Sequence, residues 1–355
     1  MDAKIALLDY KKKVDPEIEA YFKKVINETE GADENILDAI KYARKIVMAG
    51  GKRARAAFMY YGYLAAGGRE RKKMLKASVS IELIHAFLLI HDDVIDQDEL
   101  RHGVKTTHIY YGEIAKKYFK NKDANHFGNS MAIIIGDMIG ALGNQVLYES
   151  KFEAGIIIKA LHRLQSIVSC TAIGQSEDVF IENRGRATEK EILKMYENKT
   201  AKYTFEGPLH LGAILAGADQ KFLQSLSGYS IPAGIAFQIQ DDILGIFGHA
   251  EKTGKPVGSD VRQGKQTILV AKALEKADKK QKEILKKCLG NKNLTASELS
   301  QFKKVIIETG SLAYAQELAQ KLIFEAKAKI DQVDIEKEAR EFLLGIVDYM
   351  LNREV

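Results

Sequence analysis

An all-α fold is what this 355-residue sequence predicts, and three observations carry the prediction. Apolar residues recur at helical spacing along nearly the whole chain. No run alternates like a strand and closes on a hairpin dipeptide. The composition is rich in Ala, Leu, Ile, Lys and Glu, with four prolines and no tryptophan. In order, helices are expected at 15–30 and 33–49, the second stopped by the glycines of AGGK at 49–52. Helices at 52–66 and 70–100 are parted by AGGR at 66–69, and YFKNKDANHFGN, 118–129, reads as a loop into the helix at 128–149. NRGRAT at 183–188 separates 152–180 from 188–216, and 219–246 runs into the glycine-rich segment 248–265. Helices at 265–289, 296–308, 310–330 and 334–352 complete the chain. KALEKADKKQKEILKK has the spacing of a solvated helix face. No repeat or linker divides the sequence, so one domain is expected.

Hydrophobic residues at 46% and charged residues at 28% are ordinary for a globular protein. The net charge of +5, from 53 basic and 48 acidic residues, is too balanced for a nucleic-acid partner. Cys170 and Cys288 form no pairing pattern, which points to the reducing cytoplasm. The apolar patch at the N-terminus is too short for a signal peptide. The longest apolar candidate, MAIIIGDMIGALGNQVL, is interrupted by Asp137, so no transmembrane segment of about 18 uninterrupted apolar residues is expected.

The chemistry sits in two acidic clusters. LIHDDVIDQDELRHG, 89–103, ends an apolar helical run with Asp92, Asp93, Asp96, Asp98 and Glu99. On a helix His85, Leu89, Asp92 and Asp96 share one stripe, with Asp93 about 100° around the axis. Carboxylates gathered on one face repel unless a cation sits among them, and magnesium suits carboxylates shared with phosphate. AFQIQDDILGIFG, 236–248, repeats the arrangement with Asp241 and Asp242, preceded by Gln238 on the same face. Burying unpaired charge is costly, so two such clusters point to opposite jaws around metal ions and an anion.

Basic residues supply the complement: Lys52, Arg53 and Arg55 in GGKRARA, Arg101, Lys199 beside Thr200, and Lys255 and Lys265 around the glycine-rich loop. That loop is not a P-loop. GHAEKTGKP has five residues between its glycines instead of four, and proline where Ser or Thr is needed. No zinc-type His or Cys spacing and no Ser-His-Asp arrangement is present.

With GGKRAR, ELIHAFLLIHDDVIDQDELRHG, GQSED, KTAKYTFEG, FQIQDDILGIFG and KTGKPVGSDVRQGKQT, the chain resembles the trans-isoprenyl diphosphate synthases, the polyprenyl synthetase family. The landmarks run from Gly50 to about Thr267, and the residues beyond match only as generic helices. The resemblance implies a single domain over 1–355, a helical bundle of the isoprenoid synthase type around a central apolar cavity, with a motif-bearing core at about 50–267 and C-terminal helices at about 268–355. It implies metal ligation by Asp92, Asp93, Asp96, Asp241 and Asp242, holding three magnesium ions for which manganese can substitute. Arg101, Lys199, Thr200, Gln238, Lys255 and Lys265 would contact an allylic diphosphate (dimethylallyl, geranyl or farnesyl). Gly51, Lys52, Arg55, His85 and His102 would bind isopentenyl diphosphate. The catalytic set would be Asp92, Asp93, Asp96, Arg101, Lys199, Asp241, Asp242 and Lys255. A homodimer is also implied.

Two positions depart from the family pattern. Gly245 replaces the last acid of the second motif, so a ligand must come from elsewhere or from water. His102 stands where a second arginine is usual, which predicts weaker binding of isopentenyl diphosphate above about pH 7. Phe87 and Leu88, five and four residues before the first motif, resemble the pocket floor of archaeal-type geranylgeranyl synthases. On the helical wheel Leu88 lies about 40° from Asp92 and Phe87 about 140°. A farnesyl or longer-chain synthase is the alternative. A class I terpene cyclase would not need GGKRAR or His85, and a non-catalytic subunit would tend to lose one acidic motif.

Overall fold

The computed structural model describes residues 2–29, 31, 33–119, 123–248 and 257–351. α1 spans Ala3–Glu28, capped by the Asp2 carboxylate, and so begins well before the expected residue 15. Its buried stripe of Leu7, Tyr10, Val14, Ile18, Phe22 and Val25 recurs every three to four residues and passes through Pro16 without a break. The proline removes one backbone donor, and packing of this apolar stripe offsets that loss. α2 (Glu34–Met48), α3 (Ala54–Ala65), α4 (Arg71–Ala77) and α5 (Val79–Ile95) follow. The predicted helix at 70–100 is therefore divided at Ser78, whose hydroxyl meets Tyr10 Oη at 2.5 Å, and it ends at the first acidic motif.

Two short elements escape the sequence patterns. Leu100–Arg101 and Val104–Lys105 pair as a two-residue antiparallel ladder, too brief to alternate visibly. Its turn is His102-Gly103, both at positive φ (50° and 75°), which is the backbone a two-residue hairpin requires. α6 (Thr107–Tyr118) lies where no helix was assigned and packs along α7 (Ala124–Tyr148).

α8 (Ala154–Arg184) and α9 (Glu189–Tyr196), which starts with a Thr188/Glu191 capping box, lead into a π-helical segment, Glu197–Glu206, and then α10 (Gly207–Leu215). π-helical turns are rare and favour functional sites. Here glycines admit the segment at close range: a β-carbon on Gly174 of α8 would lie 2.4 Å from the Lys199 nitrogen. One on Gly234 of α11 (Gln220–Phe247) would lie 2.4 Å from Ala201 Cα. α12 (Ser259–Gln263), α13 (Ile268–Lys276), α14 (Lys279–Cys288), α15 (Ala296–Glu308), α16 (Ser311–Asp331) and α17 (Lys337–Leu351) complete the bundle. α5 packs on α7, α10 on α3, and α11 on both α16 and the π segment, enclosing one continuous apolar core. By length and composition, Arg71–Ile95, Ala124–Tyr148 and Ala154–Arg184 are long and apolar enough to cross a bilayer. The test for an uninterrupted apolar run passed over them because charged residues such as Asp137 punctuate them.

Candidate active site

The first acidic cluster closes α5. Asp93 is buried at 1% exposure, and its Oδ1 accepts from Arg101 Nε at 2.6 Å. Burial pushes its carboxyl up to about 6, against the opposing pull of Arg101. Arg101 also reaches Asp98 Oδ2 at 3.3 Å and Asp92 Oδ2 at 4.0 Å. Asp96, at the C-cap, accepts from Lys265 Nζ at 3.1 Å. Thus the three carboxylates have different surroundings: Asp93 is buried against Arg101, while Asp92 and Asp96 are less enclosed.

The second cluster divides in the same way. Asp242 is buried, and its two oxygens accept from the Tyr196 hydroxyl and from Gln238 Nε2, the latter at 2.8 Å. Burial, together with Asp260 and Asp241 nearby, drives this carboxyl well above the usual range, with Tyr196 pulling the other way. Tyr196 Oη in turn accepts from the Ile268 backbone nitrogen at 3.0 Å. Asp241 lines the central cavity. The vacancy in the acidic pattern at Gly245 is filled in space: a β-carbon there would lie 2.5 Å from Asp260 Oδ2. The Gly258 nitrogen donates to the Gly245 carbonyl at 2.9 Å, holding the α12 start, and with it Asp260, against α11.

The two clusters meet through residues 260–265. Gln263 Nε2 reaches the Asp96 carbonyl at 3.3 Å and Asp98 Oδ1 at 3.4 Å. Lys265 Nζ spans Asp96, Asp178 at 3.3 Å and Glu182 at 2.9 Å, and Lys199 Nζ donates to Asp178 Oδ2 at 2.6 Å. These lysines hold Asp178 below the ordinary carboxylate range despite its burial. Among the described residues no three His, Cys, Asp or Glu side chains are already gathered around one point.

On the opposite side of the cavity Arg55 is the hub. It donates to Thr204 Oγ1 at 2.7 Å, lies 4.4 Å over the Tyr203 ring, and meets His85 Nε2 at 3.0 Å. A guanidinium can only donate, so His85 Nε2 accepts and the proton sits on Nδ1, 2.8 Å from Tyr203 Oη. Burial, with Arg55 and Arg101 nearby, holds His85 neutral, well below its usual range. Both ring nitrogens are therefore used within the protein, and His85 fixes Arg55. Arg55 Nε is buried without a hydrogen-bond partner, and the residue lines the cavity. Lys52 Nζ lies 5.2 Å over Tyr349. His102 is packed on Gly50, and burial, Arg101, Arg53 and Lys11 lower its pKa below 6.5. The cavity has a volume of about 1030 Å³ and is lined by Lys52, Arg55, His85, His102, Asp241 and Asp260, among others.

The π segment joins both sides: Lys199 meets Asp178, Thr200 Oγ1 donates to Gln238 Oε1 at 2.6 Å, and Tyr203 and Thr204 hold His85 and Arg55. Gly51 lines the cavity beside Lys52. Phe87 packs toward α7, where a β-carbon on Gly140 would lie 3.2 Å from its ring, and Leu88 is half-buried. Lys255 lies outside the described residues. Asp178, Tyr196, Tyr203, Thr204 and Asp260 were not among the predicted site residues. GQSED and KTAKYTFEG carried three of those five, Asp178, Tyr203 and Thr204, and KTGKPVGSDVRQGKQT carried Asp260, but as single letters without a spacing rule they had no signal of their own, and neither did Tyr196, outside these motifs.

A helical bundle that gathers two carboxylate clusters and a cationic loop around one cavity is built to hold a phosphorylated apolar substrate. The polyprenyl synthetase family model matches residues 36–306. Geranylgeranyl diphosphate synthase of Saccharolobus solfataricus is 32% identical over 345 residues, covering 95% of this chain and 98% of the relative. Geranylfarnesyl diphosphate synthase of Aeropyrum pernix is 32% identical, covering 87% and 92%. The geranylgeranyl pyrophosphate synthase of Corynebacterium glutamicum, solved with isoprenyl diphosphate and magnesium, superposes with a TM-score of 0.93 at 29% identity, covering 98% of this chain and 99% of that one. The chain belongs to the polyprenyl synthetase family. It is a trans-prenyltransferase.

Proposed function

We propose that this enzyme joins isopentenyl diphosphate to an allylic diphosphate and releases geranylgeranyl diphosphate. The observation that carries this reading is that segment 260–265 ties Asp96 of the first cluster to the second, whose Asp241 and Asp242 line one cavity with Lys52 and Arg55. The donor set facing the allylic side is all oxygen, which fits magnesium with its preference for carboxylate, phosphate and water. Asp92 and Asp96 from α5, and Asp241 with Asp260 from the α11 side, would hold the ions, three in number with manganese accepted in their place. Asp93 and Asp242, the buried members, orient this set through Arg101 and through Tyr196 and Gln238. Bound magnesium supplies positive charge to the diphosphate as its negative charge grows.

Lys199, Lys265 and Thr200 would contact the same diphosphate once their acidic partners turn to the ions. Breakage of the allylic C–O bond leaves the electron pair on the diphosphate and a cation on carbon. The double bond of isopentenyl diphosphate attacks that carbon, and the departing diphosphate accepts the proton lost from the condensed product. Fixed cations and donors aimed at developing charge are usually the largest catalytic contribution, and a dry cavity keeps water from the cation. Arg55, held by His85, Thr204 and Tyr203 at the cavity wall, would bring its guanidinium charge to the diphosphate of isopentenyl diphosphate. Lys52 adds a point charge.

The free cysteines Cys170 and Cys288 belong to a cytoplasmic enzyme in this reading. The enzyme pairs as a homodimer through α7 and α8, where Ile133, Ile134, Ile158, Ile173 and Phe180 are exposed together with Tyr148. Apolar side chains exposed in that number mark an association surface. Sedimentation equilibrium will give twice the chain mass, and replacing Ile134 and Ile158 with lysine will give the monomer. A monomeric wild type rules the pairing out.

Incubated alone with labelled isopentenyl diphosphate and farnesyl diphosphate, the protein will yield a twenty-carbon product by chromatography. Phe87→Ala will shift the distribution to longer chains, and an unchanged distribution removes Phe87 from the pocket floor. A diphosphate anion favours protonated His102, so the KM for isopentenyl diphosphate rises as pH rises through the His102 pKa. Because burial and neighbouring cations lower that pKa, the rise falls below the sequence-based figure of about pH 7. The ratio of wild-type KM to that of His102→Arg, which cancels the substrate's own ionisation, will climb as pH rises through the lowered His102 pKa and then level off. A ratio of one at every pH excludes His102 from binding.

A further inference from the structure

The loop that leads into α3 has a backbone that side chains rarely adopt. Gly51 lies at φ +96° and Arg53, which carries a β-carbon, at +56°. The left-handed conformation costs such a residue about 1–2 kcal/mol, so surrounding contacts must hold it. Arg53 is the anchor. It is 5% exposed, and although it follows Lys52 directly its guanidinium is spent inside the protein. Its Nη2 donates to the Val47 carbonyl at 2.8 Å, and its Nη1 reaches Glu82 Oε2 at 3.4 Å. The other oxygen of Glu82 accepts from the Ala56 nitrogen at 3.0 Å, so one carboxylate from α5 takes both the anchor and a first-turn donor of α3.

The remaining contacts come from α1, which lies before residues 36–306 matched by the family model. Arg53 Nε donates to Asp15 Oδ1 at 2.7 Å. Lys11, one turn earlier, sits 3.3 Å from Asp15 Oδ2 and donates from Nζ to the Gly51 carbonyl at 2.8 Å. The charges alternate from Lys11 to Asp15 to Arg53 to Glu82, so the chain carries no net charge. Its contribution is position. A trans peptide points its C=O and N–H in opposite directions, so holding the Gly51 carbonyl on Lys11 fixes the Lys52 N–H on the side away from α1. The same anchorage sets where Lys52 and Arg55 leave the backbone.

We propose that Lys11 and Asp15 are positioning residues for isopentenyl diphosphate: α1 clamps the 50–55 loop so that Lys52 and Arg55 meet the diphosphate in register. The proposal rests on the reading that this loop binds that substrate, and the test separates the two. Lys11→Gln, Lys11→Arg, Asp15→Asn and Arg55→Gln are compared by steady-state kinetics for each substrate, thermal melting, and calorimetric titration with isopentenyl diphosphate alone. Lys11→Gln and Asp15→Asn will raise the KM and Kd for isopentenyl diphosphate about tenfold, with kcat and the allylic KM within about twofold, the size expected for one charge-assisted hydrogen bond. Lys11→Arg will restore wild-type values. Lys11 is partly exposed, so Lys11→Gln decides the matter even where Asp15→Asn fails to fold. If Arg55→Gln weakens isopentenyl diphosphate and Lys11→Gln does not, the positioning role is wrong and the reading of the loop stands. If Arg55→Gln also leaves that affinity unchanged, the loop reading itself fails. A lower melting temperature with both KM values unchanged makes the clamp structural only and overturns the proposal.

Discussion

Negative charge that cannot be left unpaired in a poorly hydrated interior governs this molecule. Asp93, Asp178 and Asp242 are buried, Asp241 and Asp260 line the central cavity, and Asp96 shares Lys265 with Asp178. Each uncompensated buried ion costs several kcal/mol, so the fold must bring cations or donors to every one of them. Arg101 serves Asp93, Lys199 and Lys265 serve Asp178, Lys265 serves Asp96, and Tyr196 with Gln238 serves Asp242. Those partners come from the hairpin, the end of α9, the π segment, α11, and the segment after α12. The charged partners Arg101, Lys199 and Lys265 all come from the irregular parts of the bundle.

This neutralisation also explains how the site can change hands. Lys265 is shared among three carboxylates and Lys199 rests on one of them. In the proposed reaction a diphosphate carrying divalent ions would offer those lysines a new anion and Asp96 a new cation. Such an exchange would conserve the pairing of charge. Buried Asp93 and Asp242, by contrast, are tied to Arg101 and to Tyr196 with Gln238. Gly245 and Asp260 show the same economy: the carboxylate absent from α11 is supplied by α12, and the missing side chain is what makes room for it.

The all-α fold was legible in the sequence because helical periodicity is long and repeated, and the acidic motifs were legible because adjacent aspartates in apolar helices are rare. The start of α1 was hidden by Pro16, whose usual meaning as a breaker was overridden by packing of Leu7, Tyr10, Val14 and Ile18. The hairpin at 100–105 was too short for a period to show, and the π segment has no pattern that separates it from an α-helix. At the site, Asp92 and Asp93, or Asp241 and Asp242, are equal as letters. Only tertiary neighbours set one of each pair apart as buried. Asp178, Tyr196 and Asp260 gain their meaning from residues far away in the chain. His85 was read as a substrate ligand from its place in the motif, but its role as the support of Arg55 depends on Tyr203, 118 residues later.

Anomalous diffraction from crystals soaked with manganese and inorganic pyrophosphate gives the most direct test of two acidic clusters gripping one diphosphate. Manganese peaks should bridge the pyrophosphate to Asp92 and Asp96 on one flank and to Asp241 and Asp260 on the other, with Lys265 turned from Asp96 toward the ligand. Pyrophosphate bound by the lysines with no metal at either cluster, or metal at a single cluster remote from the ligand, would contradict it.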